Sequence, residues 1–509
     1  MIDVTELTVA KVQAAFADGT LTAAALTQAC LDQVAAHNPR LNAIIFMNPD
    51  AMADAQAIDR RRAAGEALGP LAGVPIVVKD TMDMVGFPST GGWSLLCSRT
   101  GGVDMMPGTD SPVVARMRAA GAVILGKTNV PVLSATGSHA NDSWAGPTLN
   151  AVAPECLPGG SSAGTATAVA AGMAVLGLAE ETGGSIQNPA SAQALVGIKP
   201  SFALVPNAGV MPLAGSTRDV VGPIARCVRD AALALDALAG FTTADPKTIA
   251  GVGHRPHGGY AAGLRPDALQ GKRLGLYGPG WRNQPLSDEA TRLYRRAQDE
   301  LEARGATLVP DPFAGTRFAA ISQPVSGSGY FDARGLECAP YDMEQYLKRM
   351  GPDAALQSFA AFSAATAKED AFATGGVLAM MHQLPDFAAC LADPSRPPDL
   401  PDFLAAKEAY LEVFNAVFAG AGLDALVFPQ MRDALPPLHG PGTVLETTVC
   451  EINIAGLPGV TVPAGYYPGG APFNLIFVGR MWDEAGLLAL AHDYEGATQH
   501  RHPPSLVPA

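Results

Sequence analysis

Paired cysteines, basic clusters, long hydrophobic spans and an export leader are all missing from this sequence of 509 residues. Seven cysteines stand at 30, 97, 156, 227, 338, 390 and 450. No two are at CxxC or zinc-site spacing, which excludes a disulfide framework and a cysteine metal centre and fits reduced thiols in the cytoplasm. Charge is also scarce, at 16% of residues, and its balance is −14. No Lys/Arg run stands out, so an extended phosphate-binding surface is excluded, and with it direct nucleic-acid or anionic-membrane binding. The opening residues Met1-Ile-Asp-Val-Thr-Glu-Leu7 lack the basic and apolar regions of a signal peptide. The longest nearly apolar run, Ala166 to Ala179, is too short and too rich in alanine and glycine for a membrane span, and reads as a buried helix.

What the chain has in quantity is apolar and small residues. Hydrophobic content is 48%, with 55 glycines, enough for a large core and against disorder. Residues 8–64 read as helices, one of them capped by Thr22. Short β-branched runs then alternate with helical patterns: Gly73-Val-Pro-Ile-Val-Val-Lys79, Ala122-Val-Ile-Leu125, Arg273-Leu-Gly-Leu-Tyr277, Ala425-Leu-Val-Phe428, Val460-Thr-Val-Pro463 and Leu475-Ile-Phe-Val478. Apolar strands of this kind belong to sheets covered on both faces. The expectation is an α/β protein with a large mixed, mostly parallel twisted sheet covered by helices on both faces. No linker divides the chain, so residues 1–509 read as one domain. Its parts are N-terminal helices (1–64), a core (65–313), a helical cover rich in Ala, Phe and Met that shapes a pocket (314–401), and the end of the sheet with a last helix, Glu484 to Ala497 (402–509).

Two glycine-dense turns carry serines: Pro158-Gly-Gly-Ser-Ser-Ala-Gly-Thr165 and Glu181-Thr-Gly-Gly-Ser-Ile186. Glycine lets a ligand approach the main chain closely. As a phosphate loop the first turn fails, because no lysine follows its last glycine. As an acyl-transfer site the second turn has the parts: Ser185 follows Thr182, Gly183 and Gly184, whose successive N–H groups can converge on one oxygen. A base is harder to find. None of the nine histidines has a triad context and there is no GxSxG elbow. Lys79, at the end of an apolar strand, is the remaining candidate, and it reads equally well as a strand-end surface charge. Asp80 beside it reads as a structural residue that holds the turn. The methionines at 105, 106, 380 and 381 read either as the border of an apolar cleft or as packing.

Taken together, Gly73-Val-Pro-Ile-Val-Val-Lys-Asp80, Gly126-Lys-Thr-Asn129, Pro158-Gly-Gly-Ser-Ser-Ala-Gly164, Thr182-Gly-Gly-Ser-Ile186, Val196-Gly-Ile-Lys-Pro200 and Ile454-Ala-Gly-Leu-Pro-Gly-Val-Thr-Val-Pro-Ala464 resemble the amidase signature family of serine hydrolases. The resemblance runs from about residue 5 to residue 503. It implies a Ser–Ser–Lys triad with Ser185 as nucleophile, Ser161 as the bridging serine after a cis Gly160–Ser161 bond, and Lys79 as a base that is neutral when it takes the proton. It implies an oxyanion hole from the N–H groups of Thr182, Gly183, Gly184 and Ser185, and a pocket touched by Cys156, Gly160, Ser162 and Gln187. It also implies hydrolysis of a small, neutral and partly apolar amide, with esters and carbamates open to the same acyl-enzyme chemistry. No metal or cofactor enters, and dimers occur among such proteins. A glutaminase component of a tRNA-dependent amidotransferase is the alternative within the same resemblance. The sequence departs from the common family pattern where Glu181 stands for Asp, Gln187 for Arg and Ala163 for Gly, and loss of the arginine weakens any reading with an acidic substrate.

Overall fold

Short apolar runs, bounded by glycine, proline or a charged residue, supply eleven strands among the residues that the computed structural model describes, 3–326 and 329–506. Residues 1–2, at the head of the expected N-terminal helices, 327–328, inside the expected 314–401 cover, and 507–509, at the end of the chain, lie outside them. The strands are β1 (Ile44–Met47), β2 (Pro75–Lys79), β3 (Val123–Thr128), β4 (Leu176–Glu181), β5 (Val196–Lys199), β6 (Val220–Ala225), β7 (Arg273–Leu276), β8 (Thr307–Val309), β9 (Ala425–Pro429), β10 (Gly459–Tyr466) and β11 (Pro472–Val478). They form one sheet in the order β1-β3-β2-β4-β6-β5-β10-β11-β9-β7-β8. The sheet is mixed, as expected, but parallel pairing is not the majority. The pairs β2/β3, β2/β4, β7/β8 and β7/β9 are parallel, and six neighbouring pairs are antiparallel. One of the antiparallel pairs has a local cause: β10 and β11 are joined by a short turn, and a parallel pair would need a long crossover.

Side chains alternate across a strand, and the core divides accordingly. Val427, Leu475 and Phe477 join one cluster with the N-terminal helices and the last helix. Their neighbours Leu426, Phe428, Ile476 and Val478 join a second cluster with Leu336, Met343, Phe362 and Phe387. The second cluster also takes Phe403, Tyr410, Phe414 and Phe418 from the helix Pro401–Ala421. Within it, Trp281 stacks on Phe318 with ring centroids 4.4 Å apart. Both faces of the sheet are therefore covered, and the 314–401 segment is helical cover on one of them. Among the described residues no helix is long and apolar enough to cross a membrane.

Two local readings change. The 8–64 stretch is helical at Val9–Ala17, Ala23–Leu41 and Ala51–Ala63, with β1 between the last two. Thr22 caps the second helix, its side chain accepting from the Ala25 N–H at 3.0 Å. Ala166 to Ala179 is not one buried helix. The helix Ala163–Ala170 ends as the chain reaches Gly172, at φ +72°, and the remainder becomes β4, which pairs with β2 in the register Ile76↔Leu176 and Val78↔Leu178. Glycine in the left-handed region is the ordinary way to stop a helix. That stop is what brings the end of β4 beside the end of β2.

Gly164 fixes the start of the same helix against the loop after β3. A Cβ there would sit 2.4 Å from the Ala43 carbonyl oxygen and 2.4 Å from the Asn129 nitrogen, both backbone. Gly164→Ala is expected to lower unfolding stability by about 3 kcal/mol, the upper range for overpacking, read as a reduced urea midpoint at unchanged slope.

Candidate active site

Lys79 ends β2 and is wholly buried. From there its amine reaches three oxygens: Ser161 Oγ at 2.7 Å, Glu180 Oε2 at 2.7 Å and the Glu180 carbonyl at 3.2 Å. It is not a strand-end surface charge. Three partners suit an ammonium that donates three hydrogen bonds. They suit a neutral amine equally, with two N–H groups on Glu180 and the lone pair accepting the Ser161 hydroxyl proton. Ser161 lies in the turn before the helix Ala163–Ala170, its hydroxyl buried, and the Gly160–Ser161 peptide is cis.

The chain leaves β4 through Thr182, Gly183 and Gly184 to Ser185, just before the helix Gln187–Ala192. Gly184 has φ +91°, a conformation that bulkier residues resist. A Cβ on Gly183 would meet the Phe331 ring at 2.7 Å. Glycine is therefore required twice in this turn, once for backbone shape and once for space. Glu181 staples the turn from behind. Its carboxylate accepts the Ile186 N–H at 2.8 Å, the Gln187 N–H at 3.2 Å, and the side-chain amides of Asn453 (2.8 Å) and Gln187 (2.5 Å).

Ser185 and the turn open on a cavity of about 220 Å³. The loop 134–138 and Asn188 supply polar wall. Leu213, Phe331, Leu336, Leu378 and Met380 supply apolar wall, and among the described residues Glu446 is the one charged side chain that lines it. Four of these, Phe331, Leu336, Leu378 and Met380, come from the 314–401 segment, which thus borders the serine. Of the other methionines, Met105 and Met381 are buried packing and Met106 is exposed. Glu446 is held at its main chain by Arg282, whose Nη1 donates to the Glu446 carbonyl at 2.8 Å while the guanidinium pairs with Glu451 at 2.6 Å. Burial pushes the Glu446 carboxyl upward from its usual range.

The four residues expected at the pocket wall turn elsewhere. Gln187 points its amide at Glu181. Ser162 donates to the Glu180 carbonyl at 3.3 Å. Gly160 packs on the backbone of the 136–139 loop. Cys156 forms a backbone bridge with Pro437, and burial raises its thiol. Asp80 holds the turn after β2, accepting the Thr90 N–H at 3.2 Å and pairing with Lys127 at 3.2 Å.

Two acids went unnoticed in the sequence. Glu180 contacts Lys79 directly. Thr182 Oγ1 lies 3.1 Å from Glu180 Oε1 and 2.6 Å from Asp219 Oδ1. The available signal was Glu180-Glu181 itself, two adjacent acids ending an otherwise apolar strand. A charge is kept at such a place only when it is paired.

Comparison with known proteins follows the same outline. The family described as Amidase matches residues 25–488. A glutamyl-tRNA(Gln) amidotransferase component from Thermosynechococcus vestitus is 33% identical, covering 94% of this chain and 96% of the relative. A probable amidase of Arabidopsis thaliana is 30% identical, over 99% of this chain and 92% of that protein. The solved native peptide amidase from Stenotrophomonas maltophilia is 33% identical, covers 98% of each chain and superposes with a TM-score of 0.79.

Removing the staple tests the role of Glu181 in the turn. Glu181→Ala strands buried donors that each cost about 1–3 kcal/mol when unpaired. It is expected to lower the urea midpoint clearly, whereas Glu181→Gln, which keeps an acceptor, falls between that variant and the wild type.

Proposed function

The chain belongs to the amidase signature family, and from that premise we propose that it is a stand-alone amidase that acts through an acyl-enzyme on Ser185. The observation that carries this reading is the buried 2.7 Å contact between Lys79 Nζ and Ser161 Oγ, in a fold whose Ser185 opens on a cavity. Lys79, as the neutral amine, draws a proton from Ser185 through Ser161. Ser185 Oγ attacks the amide carbonyl, and the oxyanion is held by the N–H groups of Thr182, Gly183, Gly184 and Ser185. The same relay returns a proton to the leaving amine, and water then attacks the acyl-enzyme. The triad needs no metal or cofactor for these steps. The whole of residues 1–509 is read as one unit, since a single sheet takes strands from residue 44 to residue 478. The cytoplasmic reading is kept, with all seven cysteines free.

The walls describe the substrate. The apolar side chains of the wall, Leu213, Phe331, Leu336, Leu378, Met380 and Val444 among them, favour a partly apolar acyl or amine group. Glu446 supplies the charge, so the end of the substrate near it carries N–H donors or an ammonium rather than a carboxylate. This refines the expectation of a neutral substrate. A second reading, the glutaminase component of an amidotransferase, is supported by the named relatives of that class. Glutamine would also offer an ammonium to Glu446.

Wild type and Ser185→Ala are to be compared on an anilide, a primary aliphatic amide, an aryl carbamate and glutamine. Turnover of one of the first three that vanishes in Ser185→Ala is the expected result. Turnover of glutamine alone moves the assignment to the second reading, and equal activity of the variant removes the triad. Glu446→Gln is expected to raise KM for an amide bearing an ammonium about tenfold, the range for a hydrogen bond to a charged group, and to leave a neutral analogue nearly unchanged.

A further inference from the structure

The two acids behind Lys79 are joined by one hydroxyl. Glu180 and Asp219 are almost fully buried, as is Thr182 between them. Thr182 Oγ1 contacts Glu180 Oε1 at 3.1 Å and Asp219 Oδ1 at 2.6 Å. A hydroxyl owns one proton, so it donates to only one of two ionised carboxylates. The other contact would then bring two oxygens together with no hydrogen between them. The chain is satisfied only when one carboxyl holds a proton and donates it to Thr182, which donates its own to the other. Asp219 accepts the Leu213 N–H at 3.0 Å and the Ala214 N–H at 3.0 Å, contacts that suit its ionised form. Glu180 Oε2 faces Lys79.

We infer that Glu180 and Asp219 share a single mobile proton across Thr182, and that its movement places negative charge beside Lys79 at the moment Lys79 becomes charged. The inference rests on Lys79 as the base. Before attack, Glu180 Oε1–H donates to Thr182 Oγ1, Thr182 donates to Asp219, and Lys79 is neutral. As Ser185 Oγ bonds to the carbonyl carbon, its proton goes to Ser161 Oγ and the Ser161 proton goes to Lys79 Nζ. In step, the Glu180 proton passes to Thr182 Oγ1 and the Thr182 proton passes to Asp219 Oδ1. Lysinium then faces carboxylate, and Asp219 is the neutral acid. Every proton is conserved, and the sequence reverses when Lys79 gives its proton to the leaving amine. An interaction made only as the charge develops speeds the chemical step rather than substrate binding.

With Glu180 ionised, as at the end of the transfer, Asp219 is able to hold the proton: burial first, and then the Glu180 charge, push its carboxyl up to about 7. The titratable groups around the pair include Lys79 from β2, the thiol of Cys338 and, across the cleft that Asp219 lines, Asp245, Lys247, Asp342 and Arg349. Glu180 and Asp219 are positioning residues in this scheme, since neither touches the reacting atoms.

Glu180→Gln keeps the shape, with an amide that donates to Thr182 and an oxygen that accepts from Lys79, but its proton cannot leave. Thr182→Val cuts the path and keeps both acids. On an amide that the wild type hydrolyses, each variant is expected to lose about 10–100-fold in kcat, less than the roughly 100–10,000-fold of a direct general acid or base because neither residue touches the reacting atoms, with KM within about twofold. The acid limb of kcat/KM in Glu180→Gln is expected to move about one pH unit lower, because a negative charge that favours lysinium is gone. The double variant should be no slower than the slower single one, since both break one path. Matching thermal midpoints would confirm intact folds. Wild-type kcat and pH profile in both single variants would overturn the inference, and so would losses that multiply in the double variant. Failure of the triad reading would show separately, as activity retained in Ser185→Ala.

Discussion

A lysine amine sealed from water at the end of a strand is the constraint around which this molecule is arranged. A buried charge or a buried bare amine is costly unless every position around it is filled by a partner. Lys79 meets that demand with one serine hydroxyl and two oxygens of Glu180. The partners arrive from separate places. Ser161 comes from the turn before a helix, and Glu180 from the strand next to β2 in the sheet. The parallel register of β2 with β4 sets the Lys79–Glu180 contact, and the helix between Ser161 and β4 sets the distance to the serine. The turn that carries Ser185 grows from the end of the same β4 strand, so one strand end carries both the carboxyl that faces Lys79 and the proposed nucleophile.

Much of this was legible in the sequence. Strands β2, β3, β7, β9, β10 and β11 appear as short runs with definite ends and lie where the pattern put them, whereas β4, which leads to Ser185, did not show as a strand. Ser161 and Ser185 stand out because glycine surrounds them, and Lys79 because a charge follows Ile76, Val77 and Val78. Strand direction was not legible. Apolar runs look alike in parallel and antiparallel sheets, and pairing is decided by connection length and by distant partners. The run from Ala166 to Ala179 misled for a related reason. Its uniform small residues carry no period, and only Gly172 marked the break.

The walls were the least legible part. The cavity is built from loop 134–138, from Leu213, from the segment with Phe331 and Leu378, and from the stretch around Glu446, pieces spread over some three hundred positions. Of the residues named around the motif, Ser162 and Gln187 turn inward to Glu180 and Glu181, Gly160 packs on the 136–139 loop, and Cys156 bridges to Pro437. Motif residues carry the chemistry and its support, while specificity is supplied by loops whose placement depends on the whole sheet. Glu180 is the instructive miss. It sits inside the motif region, yet its meaning appears only when β2 is laid beside β4.

The central claim is that Ser185 is the one activated serine on the cavity. Its most direct test is a serine-directed fluorophosphonate, followed by intact mass and peptide mapping of the protein and of its Lys79→Ala variant. The account predicts a single adduct on Ser185 in the wild type and a strongly slowed reaction in Lys79→Ala. An adduct on another residue, or equal labelling rates in the two proteins, would contradict it.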